Sequence, residues 1–374
     1  MKNRKIISKK AVVPALLVSL LLTACSTQGQ TESSSASEAP ASASAAETDK
    51  LEKTQLQLGY LNSTAHLLAF VAKEEGYFAD EGLDVTLTQF TNATELSSGL
   101  ESNKLDVALI GSFATVTLQS NSHPLTIFGG AMTNGHGFVI KPEYTEGLDS
   151  WDVSILKGKN VAVAKNNTDD LELQLLLKQE GIAIGEGDDE VNVVYFDSQK
   201  DAYAAIANQN IDACSVYSPY ASLAKGTGYE VVYYDADIDL FRNLPCCRQV
   251  TTDTQIAESP NTYTAFERAM IRAYHFSQEN HDGTIADVAK YIDIDKDYIN
   301  TEIYGGYSTS SPDPDKQGTV SLKESAVSSG FVEDYDIEPH YNTDIFKNAL
   351  DQVIEQNPDD EIYQSLKTHF DTYE

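Results

Sequence analysis

From residue 55 onward the chain repeats one pattern: a short run rich in apolar residues, a polar turn, then a stretch with apolar residues every three or four positions. Apolar runs of strand length suit strands covered on both faces, and the 3–4 spacing suits the helices that cover them. The pattern predicts strands over 55–61, 83–90, 106–110, 125–131 and 137–140, with helices over 65–78, 93–102 and 112–120 between them. It then restarts, with strands over 160–164, 191–196, 212–216 and 230–234 and helices over 168–180 and 198–209. Past residue 250 the periodicity is helical, over 261–279, 284–291, 295–303, 322–329, 343–355 and 359–373. Alternating strands and helices argue for an α/β fold with parallel pairing. About 320 residues exceed what one hydrophobic core usually serves, so two lobes are expected.

The first 54 residues follow different rules. Lys2, Arg4, Lys5, Lys9 and Lys10 precede an apolar run over 11–22. That run is too short for a membrane-spanning helix of about 20 residues and matches the core of a signal peptide. It closes on Leu22-Thr23-Ala24-Cys25, which resembles the lipobox of bacterial lipoproteins. The resemblance implies a signal peptide over 1–24, cleavage before Cys25 and lipidation of the Cys25 thiol. Residues 26–49 carry no large apolar side chain, so they cannot offset their ordering entropy, and 25–54 is expected to be a disordered tether. The remainder would then lie outside the cytoplasm, held to the cell membrane by lipid alone.

Charge and cysteine content narrow the partners. A formal net charge of −31, with no dense basic cluster, argues against nucleic acid, whose phosphates require cationic patches. Four cysteines, Cys25, Cys214, Cys246 and Cys247, make no disulfide framework. Cys214 sits in an apolar run and reads as a buried core thiol. No G-x-S-x-G, P-loop, H-E-x-x-H or paired C-x-x-C occurs, so no catalytic residue, cofactor or metal is assigned, and a monomer is expected.

Several motifs together carry a family resemblance. Leu58-Gly59-Tyr60, Glu75-Gly76-Tyr77-Phe78 with Glu81-Gly82-Leu83-Asp84-Val85, and Leu105-Asp106-Val107-Ala108 come first. Leu156-Lys157-Gly158-Lys159-Asn160-Val161-Ala162-Val163, Ile211-Asp212-Ala213 and Tyr217-Ser218-Pro219-Tyr220 follow in order. This series resembles solute-binding proteins of the sulfonate, nitrate and thiamine-pyrimidine-precursor class, with tyrosine at 217 where that family usually has tryptophan. The resemblance spans about 55–277 and implies a two-lobed type II periplasmic-binding-protein fold, each lobe a mixed sheet flanked by helices. It places a first lobe at 55–135, a second at 136–242, and a return to the first lobe with C-terminal helices at 243–374. It implies capture of a small organic solute, pyrimidine-like or sulfonate-like, by hinge closure, with an ABC permease and its ATPase as partners. Two other readings stand beside it: a pyrimidine synthase-like enzyme using His66 and Cys246/Cys247 with iron, and a lipoprotein binding metal or haem through cysteine and histidine. Related synthases carry a cysteine-rich iron motif, whereas only two adjacent cysteines occur here.

In open α/β sheets, ligands bind beyond the carboxyl ends of strands, where helix N-termini offer free N–H groups. The turns in question are Asn62-Ser63-Thr64, Thr91-Asn92, Gly111-Ser112-Phe113, Asn166-Asn167-Thr168 and Tyr217-Ser218-Pro219. Such residues cap helices in any protein. Combined with the resemblance, Ser63, Thr64, Thr91, Asn92, Ser112, Phe113, Asn166, Asn167 and Thr168 become expected ligand contacts, and Tyr217 an aromatic cover. Tyr60, also at a strand end, is a second candidate for stacking. His66 is read either as a ligand donor or as an ordinary surface histidine. His136, between Gly135 and Gly137, is expected to pack at the hinge, and Lys165 to be solvated. Cys246-Cys247 keeps three readings: core or hinge sequence, a vicinal disulfide, or contact with ligand or metal. The lack of a basic cluster at the strand ends favours a neutral heteroaromatic or sulfonate-like solute over nitrate.

Overall fold

The computed structural model describes residues 50–148, 152–208 and 211–374; the expected signal peptide, Cys25 and residues 26–49 lie outside these. Its strands are β1 (Gln55–Tyr60), β2 (Asp84–Gln89), β3 (Val107–Gly111), β4 (Leu125–Asn134), β5 (His136–Ile140), β6 (Asn160–Ala164), β7 (Asn192–Phe196), β8 (Ala213–Tyr217), β9 (Glu230–Tyr234), β10 (Pro245–Thr252) and β11 (Ser308–Ser310). They form two mixed sheets, ordered β11-β4-β10-β3-β1-β2 and β7-β6-β8-β5-β9. In the first, β1 runs parallel to β2 and β3, and β10 inserts antiparallel between β3 and β4. In the second, β6 runs parallel to β7 and β8, and β5 lies antiparallel between β8 and β9.

The chain leaves the first sheet between β4 and β5. Asn134 and Gly135 both take positive φ, 56° and 92°, a reversal that Asn tolerates and Gly allows at no steric cost. β5, which follows the first set of strands in the sequence pattern, therefore pairs in the second sheet.

Each sheet is covered on both faces. In the first lobe the helix Leu67–Glu74 buries six consecutive residues, Leu67 to Ala72, beneath the helix Pro260–Glu279. Each large side chain there contributes about 2 kcal/mol. The helix expected over 65–78 is interrupted at Gly76, whose φ of 79° lies in the left-handed region, and resumes as Tyr77–Asp80. In the second lobe, successive residues point to opposite faces, as strand geometry requires. Val161 and Val163 pack with Leu173 and Leu177, while Ala162 packs with Cys214, Val216 and Ile206 on the other side.

Two features depart from the sequence pattern. Residues 50–54, expected to end the tether, are tied down: Glu52 Oε2 accepts hydrogen bonds from Thr262 N and Oγ1, both at 2.9 Å. β10 had no predicted strand over its full length, yet all eight of its residues are buried. Its Arg248 is 1% exposed and donates through Nη2 to Asp315 Oδ2 at 2.9 Å and through Nη1 to Met132 O at 3.2 Å. Among the described residues no helix is long and apolar enough to cross a membrane.

Candidate functional site

Between the sheets, six segments converge: the turn after β1, the end of β3, the start of β5, the turn after β6, the end of β8 and the start of β10. They enclose a cavity of about 20 Å³ lined by Leu61, Ser63, His66, Gly111, His136, Asn167, Thr168, Asp169, Tyr217, Cys246 and Cys247. That volume suffices for about one water molecule, so a small organic molecule enters only when the lobes part. The lobes meet directly around it. Ser63 Oγ donates to Ser218 O at 2.9 Å, and the Thr64 and Ser218 hydroxyls are hydrogen-bonded. Thr168 Oγ1 donates to Cys246 O at 3.2 Å and accepts from Phe113 N at 3.4 Å.

The cavity's chemistry is electron-rich. Cys246 and Cys247 are free thiols whose sulfurs lie 3.0 Å apart. Burial pushes the Cys246 thiol up, whereas the hydrogen bond from Cys246 and the imidazoles of His66 and His136 hold Cys247 well below the usual thiol range. His66 is buried, which excludes its reading as a surface histidine; its Nδ1 lies 3.2 Å from Leu61 O. His136 Nε2 faces Cys246 Sγ at 3.2 Å, and Nδ1 faces Glu172 Oε1 at 2.7 Å and Asp235 Oδ2 at 3.3 Å. Burial alone would depress the His136 pKa, but the negative charges of Glu172 and Asp235 outweigh it and raise it well above the ordinary value. Asp235 also accepts from Gly135 N, His136 N, Ala236 N and Asn134 Nδ2 at 2.9–3.1 Å, which clamps the crossing between the sheets. His136, Glu172 and Asp235 are the one group of possible metal ligands with mutually close atoms among the described residues. Hydrogen bonds within the cluster and to backbone N–H groups already occupy most of those atoms, so no ion is assigned there.

Asp169 stands out among the lining residues. It is 0% exposed, and neither carboxylate oxygen has a hydrogen-bond partner. The nearby Ser215 hydroxyl is committed to the Asp169 main-chain carbonyl at 3.0 Å. Burial, opposed by the His136 charge, pushes the carboxyl up to about 7.

Residues 49–293 match the model of the NMT1-like family. The chain belongs to this family. A putative aliphatic sulfonates-binding protein of Bacillus subtilis is 25% identical over 300 residues, 78% of this chain and 81% of that one. The formylaminopyrimidine-binding protein of Halalkalibacterium halodurans is 24% identical over 292 residues, 75% of this chain and 77% of that one. Among solved structures, the periplasmic nitrate-binding protein of Synechocystis PCC 6803 superposes with a TM-score of 0.71 at 14% identity, covering 87% of this chain and 99% of that one. This likeness establishes the two-lobed periplasmic-binding-protein fold for the NMT1-like chain.

Within that fold the residues picked out by sequence divide into three groups. Ser63, His66, Asn167, Thr168, Tyr217, Cys246 and Cys247 line the cavity. Thr64, Ser112 and Phe113 lie immediately behind it: Thr64 bonds Ser218, Ser112 is fully buried with its hydroxyl unpartnered, and Phe113 packs on Leu171 and Leu322. Asn92 and Asn166 line a separate cavity of about 120 Å³ with Lys165 and Asp197, and Thr91 lines neither. Lys165 is exposed, as expected of a solvated lysine. Tyr60 is core, packed edge-on to Phe70 at 5.0 Å.

Four lining residues, Leu61, Gly111, His136 and Asp169, were not named as ligand contacts from sequence. His136 does sit at the crossing, where hinge packing was expected, but its ring also reaches the cavity. An acidic residue in a first helical turn normally reads as a partner of the helix dipole. Only its burial marks Asp169 as different.

Proposed function

We propose that the protein is an extracytoplasmic solute receptor of an ABC importer, capturing a small organic molecule, pyrimidine-like or sulfonate-like, between its two lobes. The observation that carries this reading is the cavity walled by strand-end turns of both sheets, with hydrogen bonds from Ser63, Thr64 and Thr168 running directly across it. Residues 55–135 with 243–374 act as one body and 136–242 as the other, and they close around the solute as a hinge. The sulfonate-binding and formylaminopyrimidine-binding relatives support the solute class. Binding rather than chemistry is the activity that the sulfonate- and formylaminopyrimidine-binding relatives support. Lipid on Cys25 keeps the receptor beside its permease, and the receptor works as a monomer.

Native mass spectrometry of the protein as purified, followed by thermal-shift measurements with pyrimidines, taurine, alkanesulfonates and nitrate on refolded protein, tests the reading. A retained small molecule and a rise in melting temperature with one class are expected. Protein carrying nothing and shifted by none of them refutes capture. The anchor is tested separately: Cys25→Ala should move the protein from the membrane fraction to the soluble one, and a variant that stays membrane-bound rejects lipidation.

A further inference from the structure

We propose that Asp169 selects the solute, and that it selects a flat heterocycle with an amidine-type N–H edge, such as an aminopyrimidine, over sulfonates and oxyanions. The inference rests on the receptor reading and names the ligand class of that same cavity. Its basis is a carboxylate at the cavity wall that is fully buried and has no hydrogen-bond partner on either oxygen.

A buried polar group without a partner is costly, and a charged one more so. The chain satisfies the neighbouring acid: Asp170 accepts from Asn166 N at 3.0 Å and from Gln174 Nε2 at 2.8 Å. At Asp169 the nearby Ser215 hydroxyl donates to the main-chain carbonyl at 3.0 Å. The cavity that Asp169 lines can supply the donors its carboxylate lacks. Two parallel N–H groups, one on a ring nitrogen and one on an exocyclic amine, match a carboxylate's two oxygens in the same fork geometry that arginine uses. The proton balance closes with either partner charged. A protonated ring can face the carboxylate, or the carboxyl can pass its proton to the ring nitrogen and then accept it back as a hydrogen bond. The Tyr217 ring, set edge-on to Tyr220 at 5.7 Å, lines the same cavity, and an aromatic face there covers a flat ring.

The surroundings disfavour an anion. No lysine or arginine lines the cavity. Lys165 lies in the neighbouring cavity, and Arg248 is bonded to Asp315, Met132 O and Cys247 O. The His136 imidazole is committed to Glu172, Asp235 and Cys246. The helix Thr168–Gln179 would offer its N-terminus to an anion, but Asp169 occupies its first turn.

Isothermal titration of refolded, solute-free protein tests the proposal with four probes: 4-amino-2-methylpyrimidine, its 4-hydroxy counterpart, ethanesulfonate and nitrate. The amine should bind most tightly. Asp169→Asn should weaken it by about ten- to a hundredfold, the range for a hydrogen bond to a charged group. The variant should melt no lower than the wild type, because the substitution removes an unpartnered buried carboxylate. The comparison of the four probes on wild-type protein stands even if the variant does not fold. Ethanesulfonate or nitrate binding as tightly as the amine overturns the proposal and leaves the receptor reading intact. So does an Asp169→Asn protein that binds the amine as well as the wild type. Wild-type protein that binds none of the probes also overturns it; the receptor reading falls only if the native protein carries no solute either.

Discussion

Replacing Glu172 with glutamine probes the buried cluster at the crossing between the lobes. Glu172 is 1% exposed, its Oε1 lies 2.7 Å from His136 Nδ1, and its Oε2 has no partner. Burial raises its pKa from 4.5 to about 8. A carboxyl with a folded value above its unfolded value favours folding while it is protonated. That stability is fully present below about pH 4.5 and is lost as pH rises through about 8. At about 1.4 kcal/mol per unit, full ionisation costs about 5 kcal/mol, and the part lost between pH 5 and 8 is about 3 kcal/mol. For a folded region of this size that corresponds to about 5 °C in melting temperature. Glutamine keeps the shape and an oxygen for His136 but does not titrate. His136, which faces Glu172, Asp235 and Cys246, is itself shifted upward, and this adds a loss of the same sign to the wild-type curve. Scanning calorimetry from pH 5 to 8 at constant ionic strength should show the wild-type midpoint falling about 5 °C further than that of Glu172→Gln. Parallel curves would refute the reasoning.

Three further outcomes follow from the packing. A Cβ on Gly130 would stand 1.9 Å from Asp313 O and 2.6 Å from Ser311 O, both backbone atoms. Gly130→Ala should therefore cost at least about 1–3 kcal/mol, read as a lower urea midpoint with an unchanged slope. Arg248→Ala breaks a buried pair and leaves Asp315 without its guanidinium; a loss of about 3 kcal/mol is expected in the same assay, and a change within experimental error rejects the structural role. Cys246 and Cys247 line the cavity while Cys214 lies in the core. A water-soluble thiol reagent should therefore modify the pair only as the lobes part, at a rate that bound solute slows at least about tenfold, and should reach Cys214 only on unfolding. Labelling of the pair that ignores solute counts against closure over this site.

Most strands and helices were legible because their side chains obey the period of the element they form. β6 and β8 read correctly since, Asn160 aside, their residues are buried on both faces and are apolar, small or aromatic. β10 did not, because Cys246, Cys247, Arg248 and Gln249 follow no strand period. Their burial depends on Asp315 and on the carbonyl of Met132, partners far away in sequence. The single helix expected over 65–78 failed for a local reason, the left-handed conformation taken at Gly76.

The same division runs through the site. Small hydroxyl and amide residues at strand ends are a local signal, so Ser63, Asn167 and Thr168 could be named from sequence. The cysteine pair could be named too, but not its state or its neighbours. Asn92 and Asn166 carry the same local signal as Ser63 and lie around a different cavity, since the angle at which two lobes meet is not written in any one turn. By itself the sequence determined the α/β class, the order of the elements and the family, because each of these depends on residues near one another along the chain. Only the tertiary structure decided that a carboxylate in an ordinary first helical turn becomes a buried, unpartnered acceptor at a cavity that Tyr217 and two thiols also line. Burial is a property of what the distant chain leaves room for, and no periodicity records it.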